Sequence, residues 1–329
     1  MRFLKTILAS AALLVAFGPI AEAAGRNPGS LLIYPSYDSD PGSGTVISIT
    51  NTKDDPSFNQ NTNLNGVVDV HFIYIDGDYW TEFNRFERLT PNDTFTVLAG
   101  VHNPNSETGF LYAVALNPTT QAPMSHNWLI GDEIVADGSG NWLYGFEAIA
   151  FKALTGEGAD TDLDQDGMLD LDGAEYEQVA DEMMISSFIA QDSSYVTSTL
   201  ILVALVPSSD FESRLDFKVY NNNEYEFSAT YKFRCWAFVE LSDIDAVFTD
   251  SFLGATNVDS RANGLSIGTT GWARINGDRA IDVVGNEAMI DDPAFVGAFA
   301  QSLDGYAVGH LLHESDALNA TNGVLDSLQ

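Results

Sequence analysis

The run VVDVHFIYID, residues 67–76, has the composition of a buried β-strand. Seven of its ten residues are β-branched or aromatic, and these residue types are enriched in strands. Asp-Gly-Asp at 76–78 overlaps its end and is typical of a turn. His71 alternates with Val70 and Phe72, so we expect it to lie on a strand face and to carry no chemistry.

Similar short runs recur along the chain, separated by turn clusters such as DSDPGSG at 38–44. In the first half they are LLIYP (31–35), TVISITNT (45–52), DTFTVLAG (93–100), FLYAVAL (110–116) and WLYGFEAIAFKAL (142–154). In the second half they are MMISSFI (183–189), TLILVALV (199–206), LDFKVY (215–220), EFSATYKFRCWAFVEL (226–241), GWARING (271–277) and FVGAFA (295–300). Many short strands without helical periodicity predict an all-β fold built from antiparallel β-sandwiches.

The order of these runs is duplicated. The runs at 31, 45 and 68 parallel those at 183, 199 and 215, and FLYAVA (110–115) shares the spacing F-x-x-A-x-A with FVGAFA (295–300). We therefore predict two tandem, related, immunoglobulin-like sandwiches. The expected segments are a signal peptide (1–23), a first sandwich (24–154), an acidic connector (155–182) and a second sandwich (183–329) with long loops at 243–292. The polar C-terminal stretch, 314–329, is expected to fray.

The N-terminal residues predict export. Arg2 and Lys5 form a basic start, residues 7–20 are apolar, and Ala21-Glu22-Ala23 fits the rule for signal-peptide cleavage. The apolar run is shorter than the roughly 20 residues that span a membrane. We expect a bacterial protein that is secreted or held at the cell surface, with the periplasm as an alternative.

The acidic balance narrows the choice of partner. The formal charge is −33, from 14 Lys and Arg against 47 Asp and Glu. Nucleic acid and anionic membranes attract basic surfaces, so we expect neither as a partner and no insertion into a membrane. Calcium, a cationic surface or a saline habitat that screens carboxylates would suit this charge. Cys235 is the one cysteine and is expected to be a small buried hydrophobic residue.

One acidic stretch has a spacing that composition alone does not explain. DTDLDQDGMLDLDGAEYE, residues 160–177, contains Asp162, Asp164, Asp166 and Asp170 in the pattern D-x-D-x-D-G-x-x-D. Alternate carboxylates of a tight loop converge on one cation, and Gly167 permits the sharp turn. The carbonyl of Met168 is a further expected ligand, and Leu169 is expected to pin the loop to the core.

This pattern resembles the calcium loops of EF-hands, dockerin modules and thrombospondin type 3 repeats over about a dozen residues. The resemblance implies a calcium ion as cofactor. It departs from the EF-hand at its twelfth position, where Gly173 replaces the bidentate glutamate, and Asp172 and Glu175 are the two candidate substitutes. Because the loop lies between the predicted sandwiches, we expect calcium to act as a staple on a connector that otherwise lets them swing.

Catalytic motifs are weak. Ser266 lies in a G-x-S-x-G sequence, but its flanks lack the strand and helix of a nucleophile elbow. His310 and His313 match no standard zinc spacing, and we expect them to point to opposite faces of a strand. Trp80 and Trp142 stand next to polar turns, as a sugar-stacking platform requires.

Most of the chain, from LLIYP (31–35) through DLDQDGMLDLDGAEYE (162–177) to FRCWAF (233–238), resembles a group of exported bacterial proteins with a two-part β architecture and no assigned activity. From the residues themselves we expect a calcium-stabilised, non-catalytic structural or adhesive protein that presents its loops to a surface protein or glycan. A carbohydrate-binding module using Trp80 and Trp142 is the alternative, and a hydrolase on a β-sandwich scaffold is the second alternative.

Overall fold

The computed structural model describes residues 27–58, 64–137, 142–190, 196–256, 269–285, 289–303, 306–314 and 320–326. These residues form antiparallel sheets with a few short helices, so the predicted all-β class is confirmed. The expected signal peptide and Ser266 lie outside this part of the chain. None of the helices found in these segments is long and apolar enough to cross a membrane.

The first nine strands form a pair of sheets, the first sandwich. They are β1 (Leu31–Asp38), β2 (Gly44–Asn51), β3 (Val68–Asp76), β4 (Glu82–Leu89), β5 (Thr94–Leu98), β6 (Thr108–Leu116), β7 (Leu129–Asp137), β8 (Trp142–Glu147) and β9 (Ile149–Phe151). The sheet orders are β4-β3-β6-β1-β9 and β5-β2-β7-β8. A helix, α1 (Ala99–His102), follows β5, and the connector contributes two short strands, β10 (Met168–Leu171) and β11 (Val179–Ala180).

A second pair of sheets, the second sandwich, follows the connector. Its strands are β12 (Glu182–Ile189), β13 (Val196–Ala204), β14 (Phe211–Asn221), β15 (Glu226–Phe233), β16 (Trp236–Glu240), β17 (Thr270–Asp282), β18 (Met289–Asp291), β19 (Phe295–Leu303), β20 (Tyr306–Leu311) and β21 (His313–Glu314). Its helices are α2 (Leu241–Ile244), a 3-10 turn (Ala246–Phe248) and α3 (Asp250–Gly254). The sheet orders are β15-β14-β17-β12-β21, with β18 on β17, and β16-β13-β19-β20.

The strand order of the first sandwich recurs in the second. Strands β1 to β9 occupy the same places as β12 to β17 and β19 to β21, and β18 is the one addition. The expected match of FLYAVA (110–115) with FVGAFA (295–300) is wrong, because β6 corresponds to β17 and β19 corresponds to β7. The orders also differ from the constant-type immunoglobulin sheets ABED and CFG, which give chain orders 1-2-5-4 and 3-6-7.

Local irregularities recur at the same places. The pairing of β1 with β6 is interrupted by a bulge after Tyr34, and that of β12 with β17 by a bulge after Ile185. The next paired residue on the partner strand is a glycine in both, Gly109 and Gly271. A Cβ on Gly271 would come within 2.7 Å of the Tyr220 carbonyl oxygen. Both bulges therefore depend on a residue without a side chain.

The first sandwich has a core of its own, the largest cluster joins the other face of its five-stranded sheet to the connector and the second sandwich, and a third, smaller cluster also lies between the sandwiches. Alternate residues of β2, including Ile47 and Ile49, pack between the sheets of the first sandwich. The central strands β1, β3 and β6 are buried on both faces along most of their length, and their sequences are largely apolar, with Asp69 and His71 as buried polar exceptions in β3. The third cluster lies between the sandwiches and contains Val135, Tyr144, Phe146, Ile201, Ala298 and Ala300.

This contact corrects the expectation that the connector lets the sandwiches swing. Trp236 of the second sandwich donates its indole N–H to the carbonyl of Pro35 in the first at 2.8 Å. Its ring also lies against Gly77, where a Cβ would collide with it. A buried apolar interface closed by a hydrogen bond holds two units together without help from a linker.

Equivalent positions differ in polarity according to what they face. Val46 and Thr199 are equivalent, because each pairs with the last strand residue before a four-residue helix. Two residues on, Ser48 is half-buried on the outer surface, whereas Ile201 is fully buried between the sandwiches. The same sheet face is therefore polar where water covers it and apolar where the other sandwich covers it.

In the five-stranded sheets the first sandwich has the apolar residues and the second sandwich has the polar residues at equivalent positions. Ile73 pairs with Tyr112 on the face of the first sandwich that packs into the larger core, and both are buried. At the equivalent positions of the second sandwich Lys218 pairs with Arg274, and Lys218 is exposed. The outward face of each sandwich thus carries polar residues at positions where the other sandwich, on its buried face, has apolar residues.

The connector and the C-terminal segment pair with each other. Strand β10 pairs with β23 (Gly323–Asp326), and β11 pairs with β22 (Ala320–Thr321). The expectation that the tail frays is therefore wrong for residues 320–326. The expected long loops at 243–292 are also corrected, because this segment contains two short helices and the 13-residue strand β17.

Candidate metal centre

The acidic loop follows a series of tight turns that direct its carboxylates inward. The backbone N–H of Asp166 donates to Asp164 Oδ1 at 3.2 Å, and that of Met168 donates to Asp166 Oδ1 at 2.8 Å. Gly167 has a φ of 81° and donates its N–H to Asp162 Oδ2 at 3.2 Å. A left-handed φ suits glycine, so the sixth position of the pattern serves the turn that was predicted for it.

The carboxylate oxygens form two groups that share one residue. Asp162, Asp164 and Asp166 each offer an oxygen within 4.8 Å of the others, and so do Asp164, Asp170 and Glu175. Calcium binds oxygen at roughly 2.3 to 2.6 Å, so two ligands of one ion lie at most about 5 Å apart. Each group fits within one calcium coordination sphere, and Asp164 joins the two.

Of the two candidate substitutes for the glutamate of an EF-hand, Glu175 is the one that belongs to these oxygen groups. It is 4% exposed, and its Oε1 accepts the Leu163 N–H at 2.5 Å while Oε2 accepts the Asp170 N–H at 3.2 Å. The turn through Gly173, which has a φ of 84°, brings it back to the loop two positions later than an EF-hand would. Glu175 thus reaches the loop although the standard spacing does not hold.

Asp172 and Met168, the other two expected ligands, both make hydrogen bonds within the loop. Asp172 Oδ1 accepts the N–H groups of Ala174 at 2.7 Å and Glu175 at 3.0 Å, so it caps the turn, and Asp172 belongs to neither oxygen group. Its assignment as a ligand stays a prediction. Met168 follows Gly167 as the first residue of β10 and is half-buried, with its N–H bonded within the loop.

The electrostatics of the loop favour a cation. Burial, followed by the charges of Asp166 and Asp164, raises the pKa of Asp170, and burial also raises the pKa of Glu175. Asp162 Oδ1 is buried and makes no hydrogen bond to any described residue. A buried carboxylate oxygen without a partner costs free energy, which a bound cation would remove.

The loop is anchored on its apolar side. Leu169, Leu171 and Tyr176 are fully buried, and Leu169 pins the loop as predicted. The Tyr176 hydroxyl contacts Thr161 Oγ1 at 2.9 Å. Position and direction of the carboxylates are thus set by packing, and an ion would enter a loop that is already held in place.

The predicted aromatic platform is only partly described. Trp80 lies in the turn before β4 with a φ of 66° and is half-buried. Trp142 begins β8, and its side chain lies outside the described residues. Both residues lie at the end of the first sandwich where β3 and β7 finish. No distance between them supports a shared stacking surface.

Three histidines and the cysteine behave differently from a catalytic or zinc site. His71 stacks on Phe86 at 4.2 Å on a strand face, as expected. The rings of His310 and His313 lie 6.0 Å apart, so the expectation of opposite faces is wrong, because the strand breaks at Leu312 between them. Burial raises the pKa of the Cys235 thiol, in keeping with an unreactive residue.

Sequence reasoning missed a pair of acids in the first sandwich. Asp132 of β7 and Glu147 of β8 lie directly opposite each other on the outer face of the sheet. Ile130, Asp132 and Ile134 are two residues apart, so the sequence indicates that they share one face of β7. Only the pairing of β7 with β8 brings the carboxylates of Asp132 and Glu147 together. Comparison of the chain with family models, curated proteins and solved structures gives no match.

Proposed function

We propose that this chain is an exported, calcium-binding structural or adhesive protein without catalytic activity, in which two sandwiches present loops to a surface protein or glycan. The observation that carries the proposal is the convergence of Asp162, Asp164, Asp166, Asp170 and Glu175 in two oxygen groups that share Asp164. Export is supported by the basic start, apolar run and small residues of positions 1–23.

Calcium would act by reversing the sign of a repulsion. Two carboxylates about 4 Å apart repel by about 1 kcal/mol in bulk water and several-fold more near a protein surface. Extracellular calcium modules have Kd values of about 10⁻⁴ to 10⁻³ M. At about 10 mM calcium, such a site would add about 1.4 to 2.7 kcal/mol to the free energy of unfolding.

The expected role of the ion as an interdomain staple changes in one respect. The cluster that contains Val135 and Ile201 is buried between the sandwiches without any residue of the loop, so the ion would not be the sole element that sets their angle. Strand β10, next to the carboxylates, pairs with β23, and Val324 of β23 donates its N–H to the Leu205 carbonyl of the second sandwich at 3.2 Å. Calcium would therefore fasten the connector and the C-terminal segment to the second sandwich.

We further infer that the two sandwiches arose from one duplicated unit. The recurring strand order, the matched bulges and the glycine pair Gly109 and Gly271 support this. A second glycine pair, Gly131 and Gly297, lies opposite the equivalent residues of β2 and β13. Glycines at equivalent close approaches are an unlikely outcome of two unrelated sandwiches.

The test is calorimetric titration of the full chain with calcium, with Asp164→Asn and Asp172→Asn as matched variants. Both remove one charge from the same loop, but only Asp164 belongs to the oxygen groups. We expect Asp164→Asn to weaken calcium binding by about tenfold or more and Asp172→Asn by less than about threefold. Equal effects of the two variants, or no heat of calcium binding to the wild type, would contradict the proposal.

A second measurement addresses the role of the ion. EDTA should lower the unfolding midpoint and leave the small-angle scattering profile unchanged, because the sandwiches stay in contact. A scattering profile that shows a larger molecule in EDTA would instead support a connector that lets the sandwiches move apart without calcium. An unchanged midpoint would remove calcium from the account altogether.

A further inference from the structure

A cleft opens where the edge strand of the first sandwich meets that of the second. It has a volume of about 890 Å³ and is walled by β7 and β8 on one side and by β20 and β21 on the other. Small-molecule sites range over roughly 300 to 1,000 Å³ and are frequent at domain junctions. A second hollow of about 490 Å³ shares Asp132 and Glu147 with it.

Two carboxylates line both hollows and face each other without compensation. Asp132 and Glu147 are directly opposite in the pairing of β7 with β8, and both are exposed. Like charges in this relation destabilise a sheet. Neither carboxylate forms an ion pair with any Lys, Arg or His of the described segments.

A buried carboxyl group adjoins this pair. Glu133 lines the cleft and is 1% exposed. Its Oε1 accepts the Ser36 N–H at 3.2 Å, while Oε2 makes no hydrogen bond to any described residue. Strand alternation directs the Glu133 side chain to the opposite face of β7 from Asp132, so this carboxyl group is not part of the charged pair.

The rest of the wall is apolar, and the acids are not required by the fold. Ile134 and Ile149 line the cleft, and Ile134 is 44% exposed. The positions equivalent to Asp132 and Glu147 in the second sandwich are Ala298 and Leu311, which pair in the same way. The same strands therefore pair with apolar residues at these positions.

A metal ion is a poor fit here. Among the described residues, the groups of three convergent ligands all lie in the connector and none includes Asp132, Glu147, His310 or His313. Two carboxylates beside the exposed Ile134 and the buried Ile149 match a larger cation, one that carries its charge on nitrogen and has an apolar body.

We propose that this cleft binds a small organic cation, an amine or amidine with an apolar body, between Asp132 and Glu147. The charged nitrogen lies between the two carboxylates and removes their repulsion. The apolar body lies against Ile134 and Ile149. The site is separate from the acidic loop, so calcium does not compete for it.

The test compares benzamidine with its neutral isostere benzamide by calorimetry on the full chain in excess calcium. We expect benzamidine to bind about tenfold or more tightly than benzamide. Asp132→Asn and Glu147→Gln should each weaken benzamidine binding by about tenfold and leave benzamide unaffected. Asp40→Asn, an exposed carboxylate in the β1–β2 turn, makes the same charge change away from the cleft and should have no effect. Equal affinities of the two compounds, or equal effects of Asp132→Asn and Asp40→Asn, would overturn the proposal.

A second readout does not depend on variants. Methyl NMR of isoleucine-labelled wild type should show benzamidine-dependent shifts of Ile134 and Ile149, and no comparable shift of Ile47 in the first core. Shifts confined to isoleucines outside the cleft would refute the site.

Discussion

Replacing Ile201 by serine tests whether the two sandwiches form one cooperative unit. Ile201 is fully buried in the cluster between the sandwiches, and serine is the residue at the equivalent position of the first sandwich, Ser48. Serine is therefore compatible with the strand geometry when the position faces water. Any loss in the free energy of unfolding measures the contribution of the interface and not that of the strand.

The expected cost follows from burial. Truncation of a buried isoleucine costs about 2 to 5 kcal/mol, and a buried hydroxyl without a partner adds about 1 to 3 kcal/mol. We expect Ile201→Ser to lower the free energy of unfolding by about 3 to 5 kcal/mol, a large part of the roughly 5 to 15 kcal/mol of a typical domain. Ser48→Ile, the reverse change on the half-buried face, should shift it by about 0.5 kcal/mol or less.

Urea unfolding followed by circular dichroism and tryptophan fluorescence measures both variants. Trp236, one of five tryptophans, contacts Pro35 across the interface, so separation of the sandwiches changes its share of the fluorescence. We expect both signals to change in one transition in the wild type. A loss below about 1 kcal/mol for Ile201→Ser, or a fluorescence transition well before the loss of β structure, would refute the buried interface.

Three further predictions concern single residues. Burial lowers the pKa of His102 and of His126 to about 4, below an unfolded value of about 6.5, so each withdraws up to about 3 kcal/mol of stability as the pH falls from 6.5 through 4. Urea unfolding at several pH values should show a shallower loss in His126→Gln, and an identical loss would contradict this. Gly131→Ala should cost at least about 2 kcal/mol in the same assay, because its Cβ would collide with the Tyr34 hydroxyl, and a neutral effect would count against the packing described. Cys235 is half-buried and the pKa of its thiol is raised, so it should react with a thiol reagent much more slowly in the native than in the unfolded protein, and equal rates would contradict this.

The strands were predictable from the sequence because their residues have high β-propensity and turn residues separate them. The pairing of the strands is harder to predict from the sequence. Strands such as β6 are buried on both faces and lose the alternation that indicates which face is inward. FLYAVA and FVGAFA share small residues because both strands are tightly packed on by their neighbours, and not because they occupy equivalent places in the two sandwiches.

The acidic loop was predictable where its pattern is local. The positions of Asp162, Asp164 and Asp166 follow from alternate spacing, and the turn at Gly167 follows from its need for a positive φ. The choice of Glu175 over Asp172 depends on the turn through Gly173 and on burial of the glutamate, which spacing does not encode. Asp132 and Glu147 were not predictable as a pair, because strand register brings them together.

The outward faces of the pair also limit how far this architecture can grow. A third sandwich stacked on the second in the manner that the second stacks on the first would have to bury Lys218 and Arg274, where the first interface offers Ile73 and Tyr112. Burying the Lys218 ammonium group and the Arg274 guanidinium group, which pairs with Glu182, would cost desolvation free energy that opposes such an extension. Open-ended stacking of sandwiches through this contact is therefore opposed by the polar outward face of the second sandwich.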